Sequence, residues 1–139
     1  MSACSYPENP QIRRLFTLSG LTLRELREAT QLYDRRSSVR WITGGVKVPQ
    51  EVFDYLQSTI EGYFEYCQEV CSSIENKELL DNSEDEVVEL KCFRNQETYE
   101  ASEEATQSGL SWGQYNARLN LLYAILLSRG HMVQWTFHE

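Results

Sequence analysis

Apolar positions along this chain recur with a helical period over most of its length and alternate in strand fashion at two short places, near residues 90 and 135. A first helix is expected from about Pro10 to Leu18, with Ile12, Leu15 and Phe16 on its inner face, Asn9 as cap, and Ser19-Gly20 as its stop. Residues 1–9 ahead of it read as a loose arm, with Pro7 and Pro10 bracketing Glu8-Asn9. Thr22 starts a second helix, LTLRELREATQL, in which Leu23 and Leu26 point inward and Glu25 completes a Thr-x-x-Glu capping box. Its exposed face carries Arg24, Arg27 and Glu28. A third, short helix carries Val39, Trp41 and Ile42; Ser37 or Ser38 can cap it, or Asp34 one turn earlier, and Gly44 with Gly45 supplies the positive-φ stop.

From Pro49, a helix-starting residue, the positions Val52, Leu56, Thr59, Tyr63, Tyr66, Val70 and Ser73 or Ile74 keep a four-three spacing. They predict a helix of about 27 residues, roughly 40 Å long, with Gly62 as its weak point. The hydrophilic window 76–86, NKELLDNSEDE, is the expected boundary loop. Beyond it the pattern predicts a strand at 87–93, a helix capped by Asn95 and running to about Gln107, and a stop at Ser108-Gly109. The most apolar helix follows, Trp112 to Ser128, begun by Ser111 and ended by Gly130, with Tyr115, Leu119, Leu122, Tyr123, Leu126 and Leu127 in register. A strand closes the pattern at 132–137. Two strands are too few for a stable sheet unless a second subunit adds to them.

Composition narrows this picture. The 139 residues, 41% hydrophobic with three Trp, eight Tyr and five Phe, suffice for one domain or two small subdomains and argue against disorder. No apolar run approaches a membrane span, and MSACSYPENP has neither a basic nor an apolar leader region, so a cytoplasmic protein with no membrane partner is expected. The net charge of −8 is unevenly placed. Residues 1–60 carry eight Lys/Arg against six Asp/Glu, a balance of +2, and residues 61–139 carry five against fifteen, a balance of −10. Any polyanion would have to meet the first part, and binding there should be sensitive to salt.

Cys4, Cys67, Cys71 and Cys92 form neither a disulfide framework nor a paired zinc motif, so buried or half-buried free thiols, no metal and no cofactor are expected. With His131 and His138 both in the last nine residues, and no phosphate-cradling Gly loop or nucleophile setting, the chain does not read as an enzyme.

The stretch SSVRWITGGVKVPQEV, residues 37–52, carries the functional reading. It reads as the end of a DNA-reading helix, a glycine stop and the next helix, so a helix-turn-helix is expected. Arg40-Trp41-Ile42-Thr43-Gly44 and Val48-Pro49-Gln50-Glu51-Val52 resemble the x-W-E-x-G … [IV]-P-x-x-V signature of Cro/repressor-like (XRE-type) regulators, most of all the YdiL-type and anti-CRISPR-associated (Aca) transcriptional regulators. Two departures stand out: Ile42 replaces the usual Glu after Trp, and Gly45 the usual polar residue after Gly. The later run Leu90-Lys91-Cys92-Phe93-Arg94-Asn95 followed by Tyr99, then Trp112, Leu122-Tyr123 and Gly130-His131, resembles the C-terminal domain of the same proteins.

The resemblance implies a homodimer paired through its second half and, as a function, a repressor of its own operon on an inverted-repeat operator. The fold expected is mainly α with a small β component. Residues 1–75 would form a four-helix helix-turn-helix domain with a long last helix linking it to a C-terminal α+β dimerisation domain, residues 76–139. Candidate contacts to double-stranded DNA are Arg35, Arg36, Ser37, Ser38, Arg40, Thr43 and Lys47, since Arg suits guanine and hydroxyls suit base or phosphate. Two other readings stay open: an acidic interaction protein or nucleic-acid mimic of antitoxin or phage-inhibitor type, and an RNA-binding regulator.

Overall fold

The computed structural model describes residues 9–31, 35–44, 46–81 and 87–138. Residues 1–8, on which most of the expected arm falls, 32–34 with the alternative cap Asp34, Gly45, 82–86 and Glu139 lie outside the described residues. Along the chain run α1 (Asn9–Ser19), α2 (Leu23–Thr30), α3 (Arg35–Thr43), α4 (Gln50–Asp81), β1 (Val88–Cys92), α5 (Gln96–Glu100), α6 (Glu103–Ser108), α7 (Trp112–Ser128) and β2 (Val133–Phe137). The protein is thus mainly helical with one small sheet. Packing divides it into two compact units, Met1–Gly62 and Tyr63–Glu139. The division falls inside α4, ahead of the hydrophilic window from which the sequence boundary was drawn.

In the first unit local sequence sets each helix end. Gly20 takes φ 72° after α1. Thr22 caps α2 with the full reciprocal box: its hydroxyl accepts from Glu25 N–H at 3.1 Å, and its own N–H donates to Glu25 Oε1 at 2.8 Å. The core is Ile12, Leu21, Leu26, Trp41, Val48, Val52 and Leu56, flanked by Leu15, Phe16, Leu23, Ile42, Val46, Phe53 and Tyr55. It is aliphatic apart from Trp41 and, toward its edge, Phe16, Phe53 and Tyr55. Burying each such side chain contributes about 1.5–3 kcal/mol relative to exposure.

The second unit is built differently. β1 and β2 pair in parallel, in register from Val88 against Val133 to Cys92 against Phe137. A parallel pair needs a crossover, and α5, α6 and α7 supply it. One cluster joins Cys67 and Cys71 of α4 to Val88, Leu90, Leu122 and Leu126; another stacks Phe93, Tyr99 and Tyr115. Tyr99 is pinned as well as packed, its hydroxyl donating to Leu110 O at 2.7 Å. Glu75 accepts from Arg129 Nη1 at 2.7 Å, and the His131 ring lies between Glu75 (3.3 Å) and Glu78 (3.4 Å), tying the end of α7 to α4.

Three expectations need correction. The segment from 95 to 107 is two helices, not one, because Ser102 turns extended (φ −90°, ψ 161°) and caps α6 with its own hydroxyl. α4 continues through Asp81, since NKELLD contains good helix formers and neither Gly nor Pro. Its inner face past Leu56 is Ile60, Tyr63, Cys67 and Cys71, leaving Tyr66 38% exposed under the Arg118 guanidinium, 3.6 Å from its ring centre. Cys67 and Cys71 are buried free thiols. Among the described residues no helix is long and apolar enough to cross a membrane.

Candidate nucleic-acid interface

α3 packs against α1 and α2, and three features fix which of its sides faces outward. Trp41, 3% exposed, enters the core, with Ile42 packed beside it. Ser38 is fully buried, and Arg27 Nη1 of α2 donates to its Oγ at 3.3 Å. At the far end Gly44, at φ 104°, donates its N–H to Arg40 O at 2.8 Å and ends the helix. Among the described side chains of α3, Val39, Arg40 and Thr43 remain outward, the last donating back to Val39 O at 3.2 Å.

Of the predicted contact residues, the structure brings Arg40 and Thr43 together on this exposed side. Ser38 is removed from the set: its hydroxyl is buried against Arg27 and is a joint between α2 and α3 rather than a reader. Nor are Ser37 and Ser38 caps, because α3 already begins at Arg35. The roles expected of the Arg35, Arg36 and Ser37 side chains lie outside the described residues. Lys47 is exposed beyond the helix, between Val46 and Val48, which both enter the core.

The structure also adds candidates that sequence reasoning passed over. Val39 was grouped with the apolar residues of α3, yet it is 42% exposed beside Arg40. Its place one turn before Thr43, itself a polar position, was the available signal. Arg13 and Arg14 are exposed on α1 and line a shallow concavity with Pro10, Thr17 and Leu18. Arg24, by contrast, pairs with Glu28 at 3.1 Å on the outer side of α2, an exposed i, i+4 pair of small energetic weight.

Charge follows the division of the fold. With the boundary at Gly62, Glu61 joins the first unit, which then holds eight Lys/Arg against seven Asp/Glu, +1 in all. The second holds five against fourteen, or −9. Several first-unit carboxylates are already engaged, Glu25 in the cap of α2 and Glu28 with Arg24. The exposed arginines and Lys47 are therefore the part of the surface suited to a polyanion.

No protein-family model, curated protein or solved structure matches the chain.

Proposed function

We propose that this protein is a sequence-specific DNA-binding transcriptional regulator of the Cro/repressor-like kind, in which α2 and α3 form a helix-turn-helix and α3 enters the major groove. The observation that carries the reading is the division of α3 into two sides. Ser38 and Trp41 anchor the helix to the rest of its unit, while Arg40, Thr43 and Val39 are left outward on a short, firmly seated helix. A rigid helix bearing an arginine and a hydroxyl can hold base edges at fixed positions, which is what direct readout requires. The reading is of a binding protein without catalytic chemistry, metal or cofactor.

One such helix makes few base contacts, so tight binding calls for two copies on half-sites about one helical turn, ~34 Å, apart. Exposed apolar residues on the second unit, Val87, Leu127, Met132 and Phe137, and a sheet of two strands among the described residues support pairing through that unit. The function follows: a cytoplasmic homodimer that represses its own operon from an inverted repeat. The test is fluorescence anisotropy with duplex DNA from the protein's own upstream region, a shuffled duplex and a single-stranded RNA, at two salt concentrations. Preference for the upstream duplex that weakens with salt supports the reading; equal binding of all three, or none, overturns it. Preference for the RNA would favour an RNA-binding regulator.

The −9 balance of the second unit supports a second reading, an acidic surface that holds a basic protein or mimics nucleic acid. A protein that binds no DNA in this assay but captures a basic partner stoichiometrically would fit it.

A further inference from the structure

An exposed apolar side chain beside exposed polar ones on a helix asks for an apolar group opposite it. Val39 is such a residue: 42% exposed, next to exposed Arg40 and one turn before exposed Thr43. Both of its methyl groups sit on the β-carbon, a branching that makes the side chain stiff in a helix, so it presents a fixed apolar surface. The only apolar feature in the major groove is the C5-methyl of thymine, and guanine O6 and N7 are the acceptors that an arginine grips best.

We propose that Val39 is a specificity-determining residue that packs on a thymine methyl, next to a guanine held by Arg40. The inference rests on the DNA reading of α3 above and deepens it in two ways. It assigns base preference to neighbouring positions of each half-site, a guanine and a thymine. It also supplies a reason for choosing DNA over RNA, because uracil lacks the methyl and the A-form major groove is too narrow for the helix.

The test begins with selection from a random duplex library by the full-length protein, followed by anisotropy on the selected site with single thymines replaced by deoxyuridine. Losing one methyl contact corresponds to about 0.8 kcal/mol, so replacement at one thymine should weaken wild type about fourfold. Val39→Ala should bind the thymine and deoxyuridine duplexes alike, while keeping the wild-type melting temperature because the residue is exposed. Arg40→Ala should lose preference at the adjacent guanine and retain the deoxyuridine effect. A selected motif whose deoxyuridine replacements all leave wild type unaffected overturns the role of Val39 alone. Failure to enrich any motif, with unselected duplexes bound equally well, overturns the DNA reading and the Val39 contact with it.

Discussion

The two units of this protein solve the same problem, burying one face of α4, with different materials. From Val52 to Leu56 the helix meets aliphatic side chains and Trp41, and among the described residues the buried cluster holds no ionisable group. From Cys67 to Cys71 it meets strand residues and α7 through two thiols, and the neighbouring cluster buries two tyrosines. The first unit buries polar groups only as the serines Ser19 and Ser38 among its described residues, and Arg13, Arg14 and Arg40 stay exposed. The second places titratable groups in its interior, and its charge outside is strongly acidic. The difference teaches that stability and binding are separable in the first unit, whereas pH reaches the core of the second.

The strongest way to break this comparison is to empty one core and watch the other. Trp41→Ala should cost about 3–5 kcal/mol, enough to unfold a small unit. Trp112 and Trp135 belong to the second unit and remain as fluorescent reporters of it. Separate units predict that their emission still shows a cooperative urea transition in the variant. Loss of that transition together with the first unit would mean that the two fold as one.

A second test uses pH. Desolvation, then the neighbouring Cys71, pushes the Cys67 thiol from 9.0 to about 11, against the pull of Arg118. Burial, then Glu104 and Tyr66, pushes Tyr115 from 10.0 to about 12. In both the folded value lies above the unfolded one, so the stabilisation from Tyr115 is whole below about pH 10 and is lost as pH rises toward 12, and that from Cys67 is whole below about pH 9 and is lost as pH rises toward 11. For Cys67 the loss amounts to at most about 3 kcal/mol. Urea midpoints followed by Trp112 and Trp135 should fall over that window, and Cys67→Ala should flatten the fall. An unchanged slope in the variant would show that the thiol is not responsible.

The third contrast separates binding from folding. Arg40→Ala should weaken binding to the operator by about 1–3 kcal/mol and change unfolding free energy by less than about 0.5 kcal/mol. Calorimetry and anisotropy on the same preparation decide it. An unchanged affinity would remove Arg40 from the interface.

Where the fold was legible in sequence, a local device wrote it. The Thr22–Glu25 box, the Asn95 cap, the Ser111 cap with Gln114, and the glycines at positive φ (Gly20, Gly44, Gly109, Gly130) mark helix ends within a residue or two. Both strands were visible from alternation, but not that they pair in parallel with each other, since pairing depends on the crossover packing rather than on either strand. On α4 a strict four-three count selects Tyr66. An α-helix drifts by about 20° per heptad against that count, which brings Cys67 and Cys71 inward in its place. The candidate site was legible in Arg40, Thr43 and Trp41 because their types match their sides. Ser38 and Val39 inverted that rule: the serine is buried because Arg27 supplies its partner, and the valine is exposed where helical geometry leaves it no core to enter.

The smallest effect tests the seam between the units. Gly62 sits inside α4 at the end of the first unit, and a Cβ built there meets nothing within 4 Å. Glycine in a helix interior costs about 0.5–1 kcal/mol relative to alanine, because the unfolded chain has more backbone freedom to lose. Gly62→Ala should therefore stabilise by about that amount without altering any contact. Which transition moves is the informative part. If α4 frays at the seam when one unit unfolds, alanine makes that fraying harder, and the urea transitions of the two units draw together. If α4 stays helical across residue 62 until both units are lost, only the later transition rises. A destabilised Gly62→Ala would contradict both, since it would require the open space beside this residue to be filled.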